Sequence, residues 1–157
     1  MEITISVNKA NVYDEVAKTA AYVGAKKMTE DVTAYDRIFT TDEDRLLLER
    51  FWVETCGVVT EQFKPFIVSV DSQPVSHGID LTRNYKVTLD LSSAFDESLT
   101  ESISTTLHSL FVSSIVGKWF AITNQADVER YVAEAAGAME SILKMVYFRK
   151  RPSRATM

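Results

Sequence analysis

Apolar residues recur at helical spacing in four long segments of this 157-residue chain and alternate with polar residues in three short ones. The helical segments run from Asn8 or Asn11 to about Lys27, from Thr41 to about Lys64, from Ser98 to about Thr123 and from about Asp127 to Phe148. Each helix must bury its apolar stripe, and each strand its apolar face, against another element. The pattern therefore predicts an α+β, mainly helical domain with four principal helices and a small antiparallel β-sheet.

The three alternating segments predict the strands of this sheet. Within each segment, the apolar residues expected to share one face are Ile3, Ile5 and Val7; Phe66, Val68 and Val70; and Tyr85, Val87, Leu89 and Leu91. The segment from Ser72 to Asn84 between the second and third strands is too long for a tight hairpin. We expect it to project as a contact loop, which makes His77 and Gly78 candidate subunit-contact residues.

Local signals mark the ends of the helices. Thr41 with Asp44, and Ser98 with Glu101, have the spacing of capping boxes, in which two side chains satisfy free backbone N–H groups at a helix start. Pro65 ends the second helical segment because proline interrupts helical hydrogen bonding. These signals predict the starts of the second and third helices to within a few residues.

Gly57, Gly117 and Gly137 each lie inside a predicted helix. A glycine in a helix costs roughly 1 kcal/mol relative to alanine, which close packing against another helix offsets. We expect the last two helices to form an antiparallel pair that turns at Asn124, with Phe111 opposite Gly137. The small residues around Gly137 favour tight helix contact within the subunit or between subunits, so Gly137 is a candidate subunit-contact residue.

The charge of the chain is uneven. The whole chain carries −5, and once the four cations of the C-terminal segment are set aside the remainder carries −9. These cations are Arg149, Lys150, Arg151 and Arg154. Pro152 among them prevents helix continuation. The sequence is therefore divided into one domain, residues 1–148, and an extended basic C-terminal arm, residues 149–157.

Three interpretations of the basic arm stay open: a solvated terminus, a clamp on an acidic protein surface, or a contact with nucleic acid. A cationic arm is attracted to carboxylates or phosphates that the acidic body repels. We expect the arm from Arg149 to Met157 to leave its own subunit and to dock on an acidic surface of a neighbouring copy or of another protein.

Residues suited to catalysis are few. Cys56 lies mid-helix among apolar residues, where a thiol is a buried structural group. His77 is close in sequence to scattered aspartates, and His108 is predicted on a helix flank. The chain contains no GxxxxGK[ST], GxGxxG, GxSxG, HExxH or CxxC motif. We predict no catalytic residue, no cofactor and no metal. The alternative of a small enzyme that uses Cys56 or His77 stays open.

The chain lacks the signals of export and membrane insertion. Its first residues have neither the cationic start nor the apolar run of a signal peptide. Its longest uncharged stretch, Ser102 to Gly117, is 16 residues and too polar to span a bilayer. We therefore expect no membrane association.

Two stretches, Asp42 to Trp52 and Lys144 to Pro152, resemble those of small proteins encoded among the structural genes of Bacteroides-type phages and prophages. The chain resembles the head–tail connector, or neck, proteins of tailed bacteriophages. This resemblance implies a mainly helical subunit with a small β element. It also implies a ring of about twelve copies between the portal and the tail.

The same resemblance implies the partners: copies of the chain itself, the portal protein, an adjacent neck or tail protein, and DNA that passes through the ring without sequence-specific binding. It implies localisation in the virion, and in the host cytoplasm during assembly. The choice among connector, stopper and tail terminator stays open. The alternative function is a nucleic-acid-associated accessory protein that binds through the basic arm.

Overall fold

The computed structural model describes residues 1–27, 44–71 and 81–151. In chain order its elements are β1 (Glu2–Val7), α1 (Lys9–Lys27), α2 (Arg45–Phe63), β2 (Ile67–Val70), β3 (Tyr85–Asp90), α3 (Thr100–Thr123) and α4 (Val128–Tyr147). Within these residues, the predicted mainly helical α+β fold with four principal helices and a small antiparallel sheet is confirmed.

The sheet has the order β1-β3-β2, with both pairs antiparallel. Ile5 of β1 lies opposite Val87 of β3, and both side chains are fully buried. The alternation predicted for these two strands is confirmed: Ile3, Ile5 and Val7 are buried, and so are Tyr85, Val87 and Leu89. The buried face of the sheet packs against α3, so the core lies between the sheet and the helices.

The strand predicted in this segment is confirmed as β2, but the shared face predicted for Phe66, Val68 and Val70 is wrong. A register shift between Ile67 and Ser69 breaks its pairing with β3, and Val68 and Val70 are both exposed. An extra residue in one strand of a pair disrupts the alternation of side chains. Phe66 is not part of the strand and lies in a short 3-10 turn, Lys64–Phe66, that follows α2.

The start of α1 follows one of its two predicted caps. The Asn8 side chain accepts a hydrogen bond from the Asn11 backbone N–H at 3.0 Å, which satisfies a free donor of the first turn. The start predicted for α2 at Thr41 lies outside the described residues. Asp44 occupies the N-cap position of α2 without a side-chain capping bond.

The start predicted for α3 is displaced. Asp96, rather than Ser98, supplies the capping side chain, because its carboxylate accepts from the Ser98 backbone N–H at 3.0 Å. A short 3-10 turn, Glu97–Leu99, then leads into the helix. The hydrogen bonds from Ser98 lower the pKa of the Asp96 carboxyl.

Helix α3 forms the centre of the molecule. Phe111 is fully buried, with its ring centroid 4.7 Å from that of Trp52 on α2 and 5.5 Å from that of Tyr85 on β3. Aromatic rings at such separations pack favourably when tilted. One side chain of α3 thus joins the sheet to α2.

Helices α3 and α4 run antiparallel, as predicted, on either side of a turn at Asn124. Phe120 packs on Tyr131 at 5.3 Å between ring centroids, and farther from the turn Ser113 donates to Glu134 at 3.4 Å. These partners lie at similar distances in sequence from Asn124, which requires opposite helix directions.

The predicted contact between Phe111 and Gly137 is wrong. Gly137 is exposed, and a methyl group added there would meet no described atom within 4 Å. The glycine at the helix contact is Gly117, where an added Cβ would lie 3.4 Å from the Cβ of Tyr131. The glycine at the contact between the two helices is therefore on α3, and Gly137 lies on the outward face of α4.

Candidate functional site

The predicted basic arm is described as far as Arg151, and Arg154 lies outside the described residues. Arg149, Lys150 and Arg151 are exposed. Arg149 Nη1 donates to the carbonyl of Tyr147 at 3.0 Å. A cation at this position complements the negative end of the dipole of α4.

The backbone N–H of Lys150 donates to the carbonyl of Ala94, in the loop between β3 and α3, at 2.7 Å. This bond corrects the expectation that the arm leaves its own subunit at Arg149. The chain stays against its own body at least to Lys150. The backbone that carries these cations therefore lies next to the loop between β3 and α3 at Lys150.

His77 and Gly78, the predicted contact residues between β2 and β3, lie outside the described residues. The residues that flank their segment form the wall of a shallow polar hollow. This hollow is lined by Ser6, Asp71, Thr82, Arg83, Asn84 and Lys86. The structure does not bring this hollow together with the basic arm.

Gly137, the third predicted contact residue, lies on the outward face of α4. Ala133 and Ala136 on the same face are also exposed. Because no described atom of the subunit approaches Gly137, the close contact predicted for it within the subunit is absent from the described structure. The alternative of a contact between subunits is the interpretation that stays open.

Helices α2 and α4 each expose two large apolar side chains to solvent, whereas α1 exposes Tyr22 and α3 exposes Ile122. Leu46 and Val58 are exposed on α2, and Val132 and Tyr147 are exposed on α4. Near the end of α4, Tyr147 packs edge-to-face on Phe66 at 5.3 Å between ring centroids, which joins the α4 surface to the start of β2. Exposed apolar side chains in groups are typical of protein contact surfaces.

The outward faces of α2 and α4 point in different directions. The two helices pack on different sides of α3, since Trp52 of α2 packs on Phe111 while Glu134 of α4 accepts a hydrogen bond from Ser113, two residues further along α3. Sequential residues of a helix are rotated by about 100°. The subunit therefore has two distinct outward surfaces rather than one.

Cys56 and His108, the catalytic candidates among the described residues, lie in different surroundings. Cys56 is buried, and burial raises the pKa of its thiol to about 12, although Lys9 opposes the shift. A thiol in such surroundings stays protonated at neutral pH. His108 Nε2 lies 2.6 Å from Glu15 Oε2, which joins α3 to α1 at the surface. His77, the other candidate, lies outside the described residues.

A buried polar cluster was missed by the sequence analysis. Lys9 is 0% exposed, and its Nζ lies 2.6 Å from Glu49 Oε1, while the Tyr13 hydroxyl donates to Glu49 Oε2 at 2.6 Å. The ammonium also lies 5.6 Å from the ring centroid of Trp52. Full pairing offsets the cost of burying the charges. The cluster fastens α1 to α2.

The intervals between Lys9 and the apolar residues that follow it indicate that Lys9 lies on the buried side of its helix. Lys9 precedes Val12, Tyr13 and Val16 at the intervals of a single helical stripe. Glu49 likewise follows Leu48 and precedes Trp52 on the buried side of α2. A charge of each sign on two apolar stripes indicates a buried pair.

Residues 1–27, 44–71 and 81–151 contain no group of three or more His, Cys, Asp or Glu side chains placed to hold a metal ion. Among the same residues, no helix combines the length and the apolar character needed to cross a membrane.

Comparison of the chain with models of protein families, with curated proteins and with solved structures gives no significant match.

Proposed function

We propose that this chain is a non-catalytic structural subunit of a ring in the neck of a tailed bacteriophage, where the ring joins the portal to the tail and surrounds the passing DNA. The observation that carries this proposal is the pair of outward faces on α2 and α4, which expose apolar side chains in different directions. A ring requires a head-to-tail contact between two different surfaces of each subunit.

The buried interior supports the same role. The core is continuous from the sheet through α3 to α2, and the polar groups inside it are paired with one another. A rigid subunit keeps the angle between its two contact surfaces constant. A constant angle is the condition for closure after a fixed number of copies.

The basic segment has a separate part in this proposal. Arg149, Lys150 and Arg151 extend from the end of α4 and are held near the β3–α3 loop by the bond to Ala94. From this position they and Arg154 would contact an acidic surface of an adjacent copy, the portal or a neighbouring neck or tail protein. Arginine pairs with carboxylates through two parallel hydrogen bonds.

Electron microscopy of the purified chain tests the proposal. We expect class averages of closed rings of about twelve copies with a central opening. Particles of one size without an opening, or twofold dimers alone, would contradict ring assembly.

A chain truncated after Phe148 tests the basic arm and the competing function together. We expect the truncated chain to fold and to assemble less well, with the larger loss at low salt, where attraction between charges is least screened. If the arm instead serves nucleic acid, the full chain will bind DNA in a steeply salt-dependent way and truncation will abolish that binding without affecting assembly.

A further inference from the structure

The outward face of α2 contains a shallow hollow at its centre. Gly57 is one of its lining residues, and the space above it is open, because an added Cβ there would meet no described atom within 4 Å. The rest of the lining is Glu54, Val58, Glu61, Gln62 and Lys118. Val58 is 58% exposed and, toward the start of the helix, Leu46 is 56% exposed. The hollow is thus mainly apolar, with charges at its edge.

The outward face of α4 exposes apolar side chains and short side chains near its middle. Val132 is 56% exposed, and exposed Ala133 and Ala136 follow it along the helix. Tyr147 at the end of the face is also 56% exposed. A face with short side chains at its centre approaches another helix closely, as the hollow over Gly57 requires.

The charges on the two faces are complementary in sign and spacing. Arg50 and Glu61 stand 11 residues apart on α2, and Arg130 and Glu140 stand 10 residues apart on α4. At 1.5 Å of rise per residue the two separations are about 16 Å and about 15 Å. Placed antiparallel, the helices bring Arg50 opposite Glu140 and Glu61 opposite Arg130.

Arg50 and Arg130 form ion pairs within the subunit, and these pairs leave both side chains available for contact with another copy. Arg50 lies 3.3 Å from Glu54, and Arg130 lies 3.3 Å from Glu134, each one turn away on the same helix. Both arginine side chains are exposed. Exposed pairs of this kind contribute little to stability, so an exchange of partners costs little.

We propose that α2 of one copy packs antiparallel against α4 of the next copy, with Gly57 beside Ala133 and with the Arg50–Glu140 and Glu61–Arg130 pairs at the two ends of the contact. This contact deepens the proposed function, because it names the surfaces through which ring subunits meet. Since α2 and α4 lie on different sides of α3, each copy has one of each surface free for a further neighbour.

Charge reversal is the first test. The Glu61→Arg and Arg130→Glu variants are each expected to weaken association between subunits about tenfold, the change that about 1.4 kcal/mol produces. The double variant Glu61→Arg/Arg130→Glu restores the attraction and is expected to return association to within about threefold of the wild type. Sedimentation velocity over a concentration series measures both effects.

A matched control is available on α1. Asp14 and Lys18 form an exposed pair of the same kind at 2.8 Å, away from both proposed faces. The Lys18→Glu variant is expected to leave association unchanged. An equal loss in Lys18→Glu would show that net charge, rather than a specific contact, controls association and would overturn the proposal.

A rescue experiment with a different second substitution tests whether the two helices pack antiparallel or parallel. In a parallel arrangement that places Arg50 beside Glu134, Glu61 would lie near Lys144 instead of Arg130. Rescue of Glu61→Arg by Lys144→Glu, without rescue by Arg130→Glu, would therefore contradict the antiparallel contact. Rescue by Arg130→Glu alone supports it.

Crosslinking distinguishes this contact from a symmetric one. The Gly57→Cys/Ala133→Cys double variant is expected to form disulfide-linked chains of three or more copies on oxidation, because every copy offers both cysteines to different neighbours. Ala133→Cys alone is expected to form no covalent dimer. Efficient dimers of Ala133→Cys would indicate that α4 pairs with α4 and would overturn the proposal. The wild type, with Cys56 buried, serves as the background.

These outcomes separate the interface from the function. If the wild type forms rings but neither charge reversal nor crosslinking affects them, the α2–α4 contact is wrong and ring assembly stands. If the wild type stays monomeric at every concentration, both proposals are wrong.

Discussion

Helices α3 and α4 are neighbours in sequence and pack against each other, yet their surroundings differ. Ten residues of α3 are buried, on more than one side of the helix, whereas three residues of α4 are. The difference shows which helix is constrained by packing within the subunit and which has a face free of it. Packing within the subunit fixes the side chains of α3, while the outward face of α4 is free of that requirement and is available to a partner.

The comparison assigns different consequences to changes in the two helices. Substitutions on α3 should lower the free energy of unfolding. Substitutions on the outward face of α4 should leave that free energy nearly unchanged and alter association instead. The unfolding measurements below are made at a concentration where the chain is monomeric, so that the two effects stay separate.

The largest effect is expected for Phe111→Ala on α3. It removes a fully buried ring that packs on Trp52 and Tyr85, and it should cost about 3 to 5 kcal/mol of unfolding free energy. Val132→Ala on α4 is the matched change and should cost within about 0.5 kcal/mol. Urea denaturation of both variants measures the difference, and equal losses would break the comparison.

A buried ion pair and an exposed one should also differ in their contribution to stability. Lys9→Met leaves the buried Glu49 carboxylate without its cationic partner, with the Tyr13 hydroxyl as a remaining donor, and should cost about 3 kcal/mol. Lys144→Met on α4 removes an exposed pair with Glu140 and should cost less than about 0.5 kcal/mol. A stable Lys9→Met variant would show that Glu49 is satisfied without Lys9.

Gly117 and Gly137 give a sharper contrast, because both are glycines inside helices. Gly117→Leu inserts a side chain where Tyr131 already lies 3.4 Å from an added Cβ, and overpacking should cost about 1 to 3 kcal/mol. Gly137→Leu should cost no unfolding free energy in the monomer. Thermal unfolding monitored by circular dichroism compares them, and a greater loss for Gly137→Leu would reverse the assignment.

The smallest effect is a gain. Gly137→Ala should stabilise the monomer by up to about 1 kcal/mol, because alanine is the better helix former and no described atom is in the way. Chemical denaturation resolves a change of this size. A loss of stability would place Gly137 against a part of the subunit.

The sequence was sufficient to locate the helices and strands, but it did not fix the rotation of each helix about its own axis. Apolar periodicity located the helices, β1 and β3, since these bury regular stripes. The small residues around Gly137 predicted the close helix contact there instead of at Gly117, because a difference of one residue turns a helix face by about 100° and only the packed structure fixes that angle. The irregularity in β2 depends on pairing with β3, which alternation within one strand does not contain.

The candidate surfaces show the same limit. Val58 and Val132 carry apolar side chains of the kind that usually mark a core stripe, and only the arrangement around α3 shows that both face outward. The Lys9–Glu49 pair was visible as two charges on apolar stripes, but matching them required knowing that α1 and α2 meet.

Native mass spectrometry of the purified chain tests the central claim most directly, because it counts subunits. The account predicts one closed species of about twelve copies, with few intermediates, since each added subunit completes contacts that only a ring satisfies. A spectrum that contains only monomers and dimers at every concentration would contradict the claim that this chain is a ring subunit.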